Sequence, residues 1–85
     1  MTATAEQRPW GQFTVLLDAP HTKVKQLMVN PGQRLSLQLH HQREEHWIVV
    51  QGVATITVSD QTWEATVGQT IHIPCQAQHR LANMG

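Results

Sequence analysis

The chain has 85 residues, 40% of them apolar, and sets six basic against six acidic side chains for a formal net charge of zero. That length supports one small domain, and the charge balance excludes the basic face that nucleic acid or an anionic membrane needs. No apolar run approaches the ~18–20 residues that cross a bilayer, the N-terminus lacks signal-peptide order, and the single cysteine fits a reducing, cytoplasmic compartment.

In chain order, residues 1–7 are small and polar and read as a disordered leader, leaving 8–85 as a single domain. Arg8-Pro9-Trp10-Gly11 is a turn, Gln12 to Leu17 a strand, and Asp18 to Thr22 a loop with proline and turn formers. Lys23 to Asn30 is strand-like and ends on the turn signal Pro31-Gly32. Leu35-Ser36-Leu37-Gln38-Leu39-His40 alternates strictly, which sends the leucines to one face of a strand and Ser36, Gln38 and His40 to the other. Glu45 to Gln51 is the next strand, bounded by Gly52, and Val53 to Val58 follows, rich in β-branched residues. Ser59 to Gln61 is a hairpin turn into Thr62–Val67. Gly68-Gln69 turns again into Thr70–Ile73, Pro74 stops that strand, and His79–Ala82 is the last. No segment carries a helical period. Short strands punctuated by Gly and Pro predict an antiparallel sandwich or barrel.

Six histidines are the informative excess: His21, His40, His41, His46, His72 and His79. Gln38 and His40 share a strand face and project side by side, as two ligands of one metal ion would need. Glu45 opens the adjoining strand, and His79 follows a proline turn that could aim it inward. His46 has the opposite parity to Glu45.

These residues carry a resemblance. Gly32, Gln38, His40, Glu45 and Gly52 match the spacing of the first cupin motif, with Gln38 where a histidine usually stands. Gly68, Pro74, His79 and Asn83 match the second, with Gln76 in place of a glycine. Arg8-Pro9-Trp10-Gly11, Lys23-Val24-Lys25, Leu35 to His41, Arg43, Glu45-His46-Trp47 and His79 to Asn83 resemble the C-terminal cupin domain of type II mannose-6-phosphate isomerases, a domain often fused to a mannose-1-phosphate guanylyltransferase. The implied fold is all-β: a small double-stranded β-helix, or jelly-roll barrel. Family members continue beyond the position of Gly85, so a barrel apparently lacking its last strand is expected, with an edge in need of cover.

The resemblance implies one divalent metal held by Gln38, His40, Glu45 and His79. Mixed nitrogen and oxygen donors suit zinc, manganese, iron, nickel or copper without choosing among them. The implied activity is interconversion of a phosphorylated aldose and ketose through an enediol. Arg43 is the candidate catalytic cation, His46 and Glu44 are candidate bases, and Lys23, Lys25 and Arg80 are candidate phosphate contacts. A metal-dependent oxygenase and a non-catalytic sugar- or metal-binding module are the alternatives. If Gln38 and His40 point into the barrel, Leu35, Leu37 and Leu39 point out, and a homodimer packed sheet to sheet is expected.

Overall fold

In a computed structural model, residues 4–85 are described and form eight antiparallel strands and no helix. They are β1 (Ala5–Arg8), β2 (Gly11–Ala19), β3 (Thr22–Val29), β4 (Glu45–Ile48), β5 (Ala54–Val58), β6 (Gln61–Ala65), β7 (Thr70–Ile73) and β8 (His79–Ala82). Sheet orders are β1-β2-β3, β4-β7 and β6-β5-β8. β4 pairs with β7 and β5 with β8 across the β5–β6 hairpin, so the two pairings interleave along the chain. The all-β expectation holds. No helix of the described residues is long and apolar enough to cross a membrane.

Three local expectations change. Ala5 to Gln7, read as leader, belong to β1, where antiparallel pairing with Gln12 to Thr14 closes a two-residue hairpin at Pro9-Trp10. Polar composition hides an edge strand whose ladder is supplied by its neighbour; residues 1–3 lie outside the described residues. The loop expected at Asp18–Thr22 shrinks to Pro20-His21, because β2 runs on past a bulge between Val15 and Leu17. Leu35–His40 is not a regular strand. It runs beside β8 with isolated bridges at Arg34↔Ala82 and Gln38↔His79, joined by Leu35 N to Leu81 O at 3.0 Å and a reciprocal Gln38–His79 pair at 2.9 and 2.8 Å.

The hairpin's close approach requires Gly11. It has φ +150°, and a Cβ there would lie 1.9 Å from the Met28 carbonyl oxygen on β3.

The core lies between β4-β7 and β6-β5-β8. Val49, Ile56, Ala65, Ile71 and Ile73 are buried, with Trp47, Val58 and Leu81 packed on them. Period two is clean in β7, where Ile71 and Ile73 are buried and Thr70 and His72 exposed. In β4 the same period turns Glu45 and Trp47 inward and leaves His46 and Ile48 outside. That parity decides which polar groups of this strand meet inside the shell.

Candidate metal centre

Glu45, the first residue of β4, and His79, the first of β8, face each other from two different sheets. His40 reaches them from the extended segment, whose carbonyl is held by the Gln76 amide at 2.7 Å. One ligand atom from each of His40, Glu45 and His79 lies within 4.8 Å of the others. Glu45 Oε2 is 3.1 Å from His40 Nε2 and 3.3 Å from His79 Nε2, and the His79 side chain is only 3% exposed.

The protons in this cluster follow from its hydrogen bonds. His79 Nδ1 contacts the Ala77 carbonyl at 3.1 Å; a carbonyl only accepts, so Nδ1 carries the hydrogen and neutral His79 keeps its lone pair on Nε2. Arg43 Nη2 donates to His40 Nε2 at 2.8 Å, which takes up that nitrogen's one lone pair, so Arg43 must give way before His40 can ligate through Nε2. Burial, and next the Arg43 guanidinium, hold the His40 imidazole below its usual pKa, against the opposing pull of Glu45. Glu45 Oε2 and His79 Nε2 are buried without a hydrogen-bond partner. The His79 lone pair and the Glu45 carboxylate face each other as acceptors, with the Arg43 guanidinium 3.6 Å from Glu45 Oε2 as the neighbouring cation, and an ion between them would relieve the remaining repulsion. This donor set fits a borderline divalent ion such as zinc. The supporting contacts fit as well: Trp47 Nε1 donates to Glu45 Oε1 at 3.0 Å, and its ring meets His79 edge-on at 5.8 Å between centroids. Such orienting contacts hold ligating groups in place.

The cluster borders a cavity of about 360 Å³. Gln38, Glu45 and His79 line it, together with Trp10, Trp47, Lys25 and Arg80. Of the residues singled out by sequence, His40, Glu45, His79 and Arg43 come together, Gln38 joins His79 through its backbone and lines the cavity, and Lys25 and Arg80 reach the cavity wall. Lys23 does not line this cavity; it is exposed and pairs with Asp18 at 3.8 Å. His46, proposed as a base, is not at the cluster, because its parity in β4 sends it to the opposite face, where its side chain is 70% exposed. Glu44 lies on that outer side too, hydrogen-bonded to His72 at 2.8 Å. That bond is the main cause that lowers its carboxyl pKa.

Sequence reasoning missed Arg8 and Phe13. Arg8 Cζ and Lys25 Nζ each sit 4.8 Å from the Phe13 ring centroid, from β1 and β3 on either side of β2. Both cations line the cavity with Arg80. The signal was available in Arg8-Pro9-Trp10-Gly11: a two-residue hairpin fixes the residue before it, so a cation there has a defined address.

Comparison with known proteins gives the family of the chain. The family described as Mannose-6-phosphate isomerase C-terminal matches residues 2–85. Alginate biosynthesis protein AlgA of Pseudomonas aeruginosa is 49% identical over 78 residues, 92% of this chain and 16% of that protein. Mannose-1-phosphate guanylyltransferase 2 of Escherichia coli O157:H7 is 45% identical over the same shares of chain and relative, and xanthan biosynthesis protein XanB of Xanthomonas campestris is 45% identical over 92% of the chain and 17% of the relative. The chain thus spans about a sixth of the length of these relatives. The solved structure of capsular polysaccharide assembling protein CapF from Staphylococcus aureus matches with a TM-score of 0.84 at 24% identity, covering 99% of this chain and 27% of that one, and it bears out the cupin fold. With a match that leaves out only the first residue, this chain belongs to the mannose-6-phosphate isomerase C-terminal family.

Proposed function

We propose that the domain binds one divalent metal through His40, Glu45 and His79, with Gln38 completing the set, and interconverts a phosphorylated aldose and ketose. One observation carries this reading: two buried acceptor atoms without partners, Glu45 Oε2 and His79 Nε2, face each other beside a cavity lined by cations. When bound, the ion supplies Lewis-acid polarisation of a sugar carbonyl. Lys25, Arg80 and Arg8 hold the phosphate, a dianion that charge-assisted hydrogen bonds recognise best. Arg43, with its guanidinium already on the cluster, stabilises negative charge as the enediolate develops. The family description and the mannose 1-phosphate in one relative's name make mannose 6-phosphate and fructose 6-phosphate the pair to try first. The exposed Leu37 and Leu39 support the further expectation of a homodimer, which light scattering on Leu37→Glu tests by loss of the dimer mass.

Proton movement between neighbouring carbons needs a base. Among the described residues no histidine except His79 lines the cavity, so that base comes from the cluster itself or from Lys25. This scarcity favours a second reading, a sugar-phosphate-binding module without turnover. Metal-loaded protein incubated with mannose 6-phosphate decides between them. Sustained formation of fructose 6-phosphate, lost in His79→Ala, supports the isomerase. Saturable binding without product supports the module, and neither binding nor product overturns both.

A further inference from the structure

The outer face of the β4–β7 pair carries a cluster that the reading above does not use. His46 of β4 and His72 of β7 are direct partners in the antiparallel register, so their side chains emerge on the same face. Their rings stack with centroids 4.7 Å apart and 16° between planes. Glu44, two residues before His46, shares its parity and places one oxygen on each ring: Oε2 lies 2.8 Å from His72 Nε2, and Oε1 lies 3.8 Å from His46 Nε2. One ligand atom from each residue falls within 4.8 Å of the other two. All three residues are exposed, so an ion reaches them without any opening of the fold.

We propose that Glu44, His46 and His72 form a second divalent-metal site on the outside of the sheet, separate from the interior cluster. Two imidazoles and one carboxylate favour zinc, copper, nickel or cobalt over magnesium or calcium, which prefer all-oxygen shells. The register fixes the relative positions of the two histidines before any ion arrives, so less conformational freedom is lost on binding. In the metal-free protein the Glu44–His72 contact is a hydrogen bond. An ion bound at His72 Nε2 takes the place of that hydrogen: a neutral ring keeps its one N–H on Nδ1, and a doubly protonated ring releases one proton to solvent. Three protein donors leave the remaining coordination positions to water or to a donor from another molecule, so the site exchanges its ion readily.

The test is titration of chelator-treated, full-length protein with cobalt or zinc, followed by calorimetry and by imidazole NMR signals. The His79→Ala variant, which removes an interior ligand, is expected to keep one equivalent that perturbs the His46 and His72 rings. Adding His72→Ala to that background is expected to weaken this equivalent at least about tenfold, with Glu44→Gln weakening it less and circular dichroism unchanged throughout. The proposal is overturned if His79→Ala binds no metal, or if its uptake is indifferent to both His72→Ala and His46→Ala. A wild-type protein that binds one equivalent, loses it with His72→Ala and keeps it with His79→Ala leaves this site standing and removes the interior one.

Discussion

Glu45 and Glu44 are neighbours in sequence, and each gathers two histidines, yet the two clusters have different physics. Inside, Glu45, His40 and His79 are held by three separate elements, and two of their polar atoms are buried without partners. Outside, His46 and His72 sit on one strand pair with Glu44 just before it, and all three are exposed. A one-residue change of parity turns a solvated carboxylate into one whose charge must be met by protein or ion. Residue type alone therefore predicts ligand capacity poorly; burial and the neighbouring hydrogen bonds set the demand for a cation.

The largest expected effect breaks the comparison on its inner side. His79→Ala should lower interior metal affinity and isomerase turnover by at least about 100-fold, read by metal analysis and by fructose 6-phosphate formation. Full interior occupancy in that variant would show that the orphaned atoms are met some other way. Trp47→Phe is the next step down. It keeps the apolar ring against His79 but removes the N–H that orients Glu45 Oε1, so interior affinity should fall about tenfold and stability by about 1 kcal/mol. The outer carboxylate has no equivalent contact to lose, and its affinity should stay constant in the same titration.

Much of this contrast was legible in the sequence. β7 is marked by period two and by Pro74 at its end, and the parity rule alone separates Glu45 from His46. Motif spacing singled out Gln38, His40, Glu45 and His79, and the last three lie with one ligand atom each within 4.8 Å of the others. Other features were not readable. The Leu35–His40 alternation promises a regular strand, but its ladder with β8 is interrupted, a property of the partner's register and not of the segment. Phe13 reaches the cavity through pairing across β1, β2 and β3, which no local pattern encodes. The small polar composition of Ala5 to Gln7 likewise says nothing of the neighbour that holds it in a sheet.

A smaller effect should appear in the pH dependence of thermal unfolding of the metal-free protein. His40 is held below its ordinary value of 6.5, so its charged form is disfavoured in the fold. Its contribution is intact above that value, and stability is lost as pH falls through 6.5 towards the lower folded value. Glu44 has the opposite preference. Its ionised form is favoured by His72, so its contribution is present above the ordinary 4.5 and is lost as pH falls through the lower folded value. His40→Gln should flatten the first window and Glu44→Gln the second. Exchange of those two assignments would mean that burial does not separate the clusters.

The smallest effect concerns what aims the inner ligands. Gln76 has φ +68°, a left-handed conformation at the position where the second cupin motif carries glycine. Its amide holds the His40 carbonyl at 2.7 Å, and the next residue, Ala77, supplies the carbonyl that fixes the His79 tautomer. One turn thus orients two of the three inner donors, and the outer cluster has nothing comparable. Gln76→Gly relieves a left-handed strain of about 1–2 kcal/mol but returns about 0.4–1 kcal/mol of freedom to the unfolded chain. The net gain should therefore lie between about zero and 1.6 kcal/mol, a rise in Tm of a few degrees for a domain of this size. Metal affinity should be unchanged, because the backbone amide that holds His40 survives the substitution. Gln76→Val should act in the opposite sense, since a β-branched side chain tolerates this φ worst. If glycine stabilises the fold but weakens interior metal binding, then the strained glutamine is itself part of what aims His40, and the turn orients the inner ligands through its side chain as well as its backbone.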